Sequence, residues 1–350
     1  MYISPDAPWF TFIVHPRAMA DLRRLRAIRF LYRYSSSEDE VGQKACTLPP
    51  LVAGDIVFGT SAVKGELISV MRLPDAMMNA SSGRDVLQGV EVALQRGTRV
   101  IGLGALTAPA TGGGLTLVRY LPRGVTLTNG NSYTAAVVRR NVLEAAAALG
   151  INEQARVAVI GCTGSVGVTV SHLLAQSGFA LTLLGRSMER LQQQLSSLVE
   201  RATCGSELAM ARKADIVVVL TSDPSARLMP DHVSAGSIII DCAQPANIDP
   251  KGYDAFWRHG ITVVEGGIVR IPGLVCTYDF GLSGPEDAFG CLAETYLFAK
   301  AGIHHHSVGY PSAEFACQME QIAQKLGIYP RPLGLNAAIS SSQTAGAPRA

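Results

Sequence analysis

The stretch that most restricts this chain runs from Arg156 to Ser187, RVAVIGCTGSVGVTVSHLLAQSGFALTLLGRS. An apolar run, Val157 to Ile160, is long enough for one buried parallel strand. Glycines at Gly161, Gly164 and Gly167 follow, then a helical stretch from Val168 to Gln176 and a second apolar run, Phe179 to Leu184. Strand, glycine turn, helix and strand within about thirty residues is the setting in which such a loop cradles a pyrophosphate. The first glycine turns the chain out of the strand, the second lets backbone approach a phosphate, and the third lets helix and strand pack closely. The helix N-terminus adds unpaired N–H groups and partial positive charge. Gly161, Thr163, Gly164, Ser165, Val166 and Gly167 are the expected dinucleotide-contacting set. A glycine-rich turn without a ligand is the alternative.

The second strand ends in Gly185-Arg186-Ser187. A site for NAD usually carries an acid here, accepting from the ribose 2′-OH; Arg186 and Ser187 suit a 2′-phosphate, so NADPH is expected. Arg190, one turn on, also fits a helix face turned to water. Further strands read at Asp215 to Leu220, Ser237 to Asp241 and Ile261 to Val264. Ligands bind outside the carboxyl ends of such strands, which makes Thr221, Ser222 and Gly266 expected cofactor neighbours. The predicted fold class is α/β: a Rossmann-type doubly wound parallel sheet plus an N-terminal α/β substrate domain.

At 350 residues the chain is long enough for two domains. A net charge of +2 gives no sign of a nucleic-acid partner. Val100 to Val118 and Val157 to Gly185 lack charged residues, yet glycines and turn signals break both, so buried strands explain them better than integral membrane segments. No leader peptide is visible, and the seven cysteines lack C-x-x-C spacing, which fits reduced thiols in the cytoplasm.

The expected division is an N-terminal substrate domain at 1–130, a linking helix at 131–150 and an NADP(H)-binding domain at 151–285. C-terminal helices that close the cleft follow at 286–335, then a disordered tail at 336–350. Ala18 to Tyr34 has helix-like spacing and, with Arg17, carries Arg23, Arg24, Arg26, Arg29 and Arg33, a local basic patch. It suits docking of an acidic or phosphate-bearing carrier, or is a solvated helix face. Ser35 to Pro50 reads as a loop. Gly130-Asn131-Ser132-Tyr133-Thr134-Ala135 opens a long helix stopped by Gly150, and its polar start either caps the helix or faces substrate.

Cys291, in Phe289-Gly290-Cys291-Leu292-Ala293-Glu294, lies near the start of a helix, where a thiol can acquire a depressed pKa and act as a nucleophile. Position alone does not separate it from Cys162, Cys204, Cys242, Cys276 and Cys317, and a buried inert thiol is the default for any of them. His304-His305-His306 follows that helix; adjacent histidines do not share a helix face, so a metal centre is not expected, while one of them could serve as general acid.

These segments together resemble the long-chain acyl-[acyl-carrier-protein] reductases of cyanobacterial alkane synthesis, which reduce a fatty acyl thioester to an aldehyde with NADPH. In the family's order they are Gly102-Leu103-Gly104-Ala105-Leu106-Thr107, the Gly130 to Ala135 segment, Leu143 to Gly150, and Val159 to Gly167. Ile239-Ile240-Asp241, Glu265-Gly266-Gly267, Phe289 to Glu294 and Gly302-Ile303-His304 complete the series. The resemblance covers residues 10 to 335, strongly from 100 onward. It departs at Leu103, through the N-terminal region and at Cys162, where the family has glycine, a different sequence and a small residue.

The resemblance implies that Cys291 forms the acyl thioester. It implies oxyanion donors among backbone N–H groups, Asn131, Ser132 or Thr134, and His304 as a proton donor. An acyl carrier protein or carrier domain, docked through Arg23, Arg24, Arg26 and Arg29, is the implied partner, and Mg2+ an implied activator without a legible ligand set. The layout is also similar to shikimate dehydrogenase, which needs a Lys–Asp pair and no covalent step, but neither Lys44 nor Lys64 sits in that motif. A glutamyl-tRNA reductase would leave Cys46 as its thiol. A non-catalytic NADPH sensor is the contrasting class.

Overall fold

A computed structural model describes residues 9–59, 61–221, 223 and 226–335; Ser222 and the tail 336–350 lie outside the described residues. The chain divides into two compact units. The first comprises Met1–Tyr133, Val269–Gly309 and Gln318–Tyr329, the second Thr134–Ile268, Tyr310–Cys317 and Pro330–Ala350. Residues 286–335 are therefore shared between the units, and 269–285 group with the first.

The sheet of the first unit contains β1 (Phe10–Val14), β2 (Leu51–Phe58), β3 (Lys64–Ser69), β4 (Val100–Leu103) and β5 (Thr126–Thr128). Its order is β2-β3-β1-β4-β5, with the strand Leu274–Cys276 outside β2. Strands β3, β1, β4 and β5 run parallel, and β2 is antiparallel to β3. Residues alternate between the two faces of a strand. In β1, Ile13 joins Val86 and Val90 of the helix Ser82–Gln95 in one core. On the opposite face the helix Gly290–Ala301 is buried along nearly its whole length, as its run GCLAETYLFAKA requires. Phe58 stacks on Tyr296 at 3.8 Å, an arrangement worth about 0.5–1.5 kcal/mol beyond its buried area. Gly302, at φ 64, ends that helix. Chain order passes to opposite sides of β1, so the reversal that creates a ligand crevice falls between β1 and β4.

The second unit holds β6 (Arg156–Ile160), β7 (Ala180–Leu184), β8 (Thr203–Gly205), β9 (Ile216–Val219), β10 (Ile238–Asp241) and β11 (Thr262–Glu265). They are ordered β11-β10-β9-β6-β7-β8, all parallel. This is the expected doubly wound sheet, with its reversal between β6 and β9. Leu184, Val217, Ile239 and Phe256 belong to its core.

Local readings need two corrections. Residues 18–34 form no continuous helix: Met19–Arg24 is α-helical, Leu25 is extended, and Arg26–Arg33 winds as a 3₁₀ helix. The expected loop 35–50 contains the helix Glu38–Ala45. Ser37 caps it by accepting from the Glu40 N–H, and acids fill its first turn. The helix after β7 breaks at Leu195 into Met188–Gln194 and Ser196–Val199. Among the described residues, no helix is long and apolar enough to cross a membrane.

Candidate functional site

At the strand-order reversal of the first unit, three segments converge on one thiol. Cys291 is the second residue of the helix Gly290–Ala301 and keeps a strip of exposed surface. Gly130, at φ +74, packs directly against it, and a Cβ there would overlap the Cys291 Cα and Cβ. One turn along the same helix, Thr295 donates its hydroxyl to the Cys291 carbonyl at 2.9 Å and fills the space beside Gly102 in β4. The segments around Gly102, Gly130 and Cys291, distant in sequence, are thus one site.

Its electrostatics differ from the expectation of a depressed thiol pKa. Burial pushes the Cys291 thiol up to about 11; N–H donation from Leu292 and Ala105 pulls against this, and the Glu294 charge adds to the rise. Desolvation outweighs the helix N-terminus. Glu294 itself is fully buried. It accepts from the Thr128 hydroxyl at 2.5 Å and from the Tyr133 N–H at 2.6 Å, so its carboxylate caps the helix Asn131–Ala148. Burial raises its pKa to about 7, opposed by those bonds and by Ser132 and Ser307. Sequence reading passed over Glu294. The signal was present, because a lone acid in an apolar helix has to be buried with hydrogen-bond partners.

His15, also passed over, follows β1 and is buried. Its Nδ1 lies 2.9 Å from the Pro16 carbonyl, and its Nε2 accepts from the Leu106 N–H at 3.2 Å. Ala105 beside it has φ 51, a left-handed conformation uncommon for a residue with a side chain.

The expected proton donor, His304, is not brought to the thiol. It is exposed and lies beyond Gly302, at the far end of the helix from Cys291. At 1.5 Å per residue that helix separates Cys291 from Gly302 by roughly 16 Å. Two more residues, at about 3.5 Å each, cannot recover the distance. Its neighbour His306 accepts from the Leu127 N–H at 3.0 Å. Asn131 and Thr134 are half-buried in the first turn of their helix, and Asn131 donates its N–H to Asn129 Oδ1 at 3.1 Å. The Ser132 hydroxyl is buried 3.0 Å from that of Ser307, which occupies it.

In the second unit, Gly161 has φ +86 and lies against Leu220 and Thr221 across the β6–β9 reversal. A Cβ on Gly167 would strike Cys162 and the Gly161 carbonyl. The loop therefore keeps the close backbone cradle that a pyrophosphate requires, with Gly164 preceding the helix Ser165–Gln176. Thr163, Ser165 and Val166 lie in the same turn. Arg186, exposed at the end of β7, ion-pairs with Asp223. Ser187 caps the helix Met188–Gln194 by accepting from the Arg190 N–H. Thr221 accepts from the Asp223 N–H at 3.2 Å. Gly266 follows β11, where a Cβ would strike Ile240 and Cys242, so packing already explains this glycine. Arg186 lies on the β7 side of the reversal, while Thr221 and Gly266 lie on the β9 side. Among the described residues, no group of three or more His, Cys, Asp or Glu could hold a metal.

The basic segment is partly neutralised. Arg23 pairs with Glu38, and Arg24 with Asp21 and Asp279. Arg26, Arg29 and Arg33 are exposed and make no ion pair among the described residues.

The sequence profile of the shikimate / quinate 5-dehydrogenase family matches residues 144–255, which lie wholly in the second unit. The chain is 28% identical to the long-chain acyl-[acyl-carrier-protein] reductase of Synechococcus elongatus over 306 residues, covering 82% of this chain and 88% of that protein. It is 26% identical to the aminotransferase PigE of a Serratia species over 342 residues, covering 93% of this chain; it spans only 40% of PigE. The L-tryptophan dehydrogenase structure from Nostoc punctiforme is similar to it at 13% identity and a TM-score of 0.41, covering 98% of this chain and 89% of that one. The sheet, the glycine loop, the shikimate-type profile and the 28% relationship support a nicotinamide-dependent oxidoreductase.

Proposed function

We propose that this chain reduces a fatty acyl thioester, delivered by a carrier protein, to an aldehyde through an acyl-Cys291 intermediate. The observation that carries the reading is the packing of Gly130 and Gly102 around the Cys291 helix at the strand-order reversal. It sets this thiol at the reversal of the first unit, whereas Cys162 and Cys242 pack against Gly167 and Gly266 in the second. The 28% relationship to an acyl-carrier-protein reductase supports the same chemistry.

In the first step the Cys291 thiolate attacks the thioester carbonyl carbon. A new C–S bond forms, the pantetheine C–S bond breaks, and the departing sulfur takes up the proton that Cys291 lost. The Ala105 and Leu292 N–H groups beside the sulfur stabilise negative charge there. Hydride for the second step is what NADPH supplies when bound, at Gly161 to Gly167 and with Arg186 and Ser187 toward its 2′-phosphate. Hydride addition plus one proton turns acyl-Cys291 into a hemithioacetal. Its C–S bond then breaks to give the aldehyde and restore the thiol. Arg26 and Arg29 would meet an acidic carrier, since Arg23 and Arg24 are already paired.

A shikimate-dehydrogenase-like reaction would need a lysine that Lys44, paired with Glu40 at 2.8 Å, does not offer. Intact-mass spectrometry of the protein mixed with palmitoyl-carrier protein decides the matter. The reading expects an acyl mass on wild type but not on Cys291→Ala, discharged when NADPH is added. No adduct with any chain length would defeat it.

A further inference from the structure

The second unit holds a buried amide whose hydrogen bonding is only half complete. Asn141, in the helix Asn131–Ala148, is 1% exposed, and its Oδ1 accepts from the Gly267 N–H at 3.0 Å. That backbone group can only donate, so the side-chain oxygen faces Gly267 and Nδ2 is left for another partner. Among the described residues, no acceptor meets Nδ2. A buried amide donor without an acceptor is costly, and folds keep one where a ligand or an ordered water completes it.

We propose that Asn141 is a cofactor-binding residue: its Nδ2 donates to the carboxamide oxygen of the nicotinamide ring. The inference rests on the reading of the second unit as a nicotinamide-dinucleotide site, and it assigns a side chain to the ring half of that site.

Gly266 and Gly267 follow the carboxyl end of β11. Strands β9, β10 and β11 lie on one side of the strand-order reversal and β7 on the other. A dinucleotide laid across such a reversal puts one mononucleotide over each half. With the adenosine half on the β7 side, where Arg186 stands, the ring half falls over the carboxyl ends of β9, β10 and β11. Asn141 reaches this edge of the sheet. A Cβ on Gly266 would lie 3.2 Å from its Oδ1 and 2.6 Å from the sulfur of Cys242, the residue after β10.

The amide's chemistry narrows the ligand further. With Oδ1 committed to Gly267, Asn141 offers only N–H donors, so the group it meets must accept. On a nicotinamide ring that acceptor is the carboxamide oxygen. The Gly267 bond also fixes the amide plane before a ligand arrives, so little freedom is lost on binding.

The test is calorimetric titration of the full-length protein with NADPH and with 2′-phospho-ADP-ribose, which lacks only the nicotinamide. Wild type and Asn141→Ala are compared after checking that each melts cooperatively. Asn141→Ala is expected to lose roughly five- to tenfold in affinity for NADPH, the range of one hydrogen bond, and almost nothing for the ringless analogue. The 3-acetylpyridine analogue, which keeps the carbonyl oxygen but not the NH2 group, should show the same loss as NADPH. If Asn141→Ala does not fold, Asn141→Ser takes its place with the same expectation. Equal losses for NADPH and the ringless analogue would reduce Asn141 to a support for Gly267 and overturn the assignment. So would unchanged affinities, the result if Nδ2 holds only a water. Failure of wild type to bind either ligand, or NADH and ADP-ribose in their place, would instead defeat the nicotinamide-site reading, and the assignment with it.

Discussion

Gly130 and Cys291 lie back to back with no room for a methyl group between them: a Cβ on Gly130 would sit 2.5 Å from the Cys291 Cα. The start of one helix is thereby fixed against the start of another. The Glu294 carboxylate completes the junction by capping the helix that Gly130 precedes.

Gly130→Ala should destabilise the first unit by about 2–4 kcal/mol, from the positive φ and the overlap with Cys291 together. Acyl-enzyme formation should fall with it while NADPH binding survives. Urea unfolding and intact-mass acylation read the two effects. Acylation at the wild-type rate would show that the close approach has no bearing on the thiol.

Glu294 gives a pH signature. Its folded pKa, about 7, is raised by burial above the ordinary glutamate range. Its contribution to stability is therefore complete below the unfolded pKa and is lost as pH rises through about 7. Glu294→Gln removes this decline, so the difference in melting temperature between variant and wild type should shift in the variant's favour across that window. The same change removes a negative charge that raises the Cys291 pKa, and should speed thiol alkylation at a given pH. Parallel melting curves across the window would contradict the buried carboxylate.

Arg186→Ala should weaken NADPH binding roughly 10–100-fold, the range of one or two hydrogen bonds to a charged group, and leave NADH nearly unaffected. Asp223→Asn frees Arg186 from its ion pair and should strengthen NADPH binding instead. Titration of nicotinamide fluorescence with both cofactors measures the ratio, and an unaltered preference in Arg186→Ala would remove it from the 2′-phosphate site.

The second unit was the more legible half of the sequence because its signal is local. Gly161, Gly164 and Gly167 announce the turn within the two strands and helix they join, and the sheet order follows from that unit. The thiol site is assembled from residues 15, 102–106, 128–133 and 291–295, and nothing in any one of them specifies the others. Cys291 therefore stood out only through resemblance. His304 is close to it along the chain, yet a rigid helix keeps the two apart. Glu294 and His15 went unnoticed for related reasons: each acts through backbone groups of remote segments, which side-chain patterns do not encode. The helix Glu38–Ala45 is a different case, since its serine cap and acidic first turn were present in the sequence.

The discontinuous first unit also bears on how the protein is made. Its parallel strands are complete once Thr128 has been synthesised, yet the helix that covers one of their faces begins at Gly290. At roughly 5–20 residues per second, translation takes about 8–30 s to span that gap. During that time the face around Gly102 and Phe12 has no cover, while Thr134–Ile268, the larger part of the second unit, emerges as an uninterrupted stretch. A chain released early would carry the nucleotide loop but no reactive sulfur at this site.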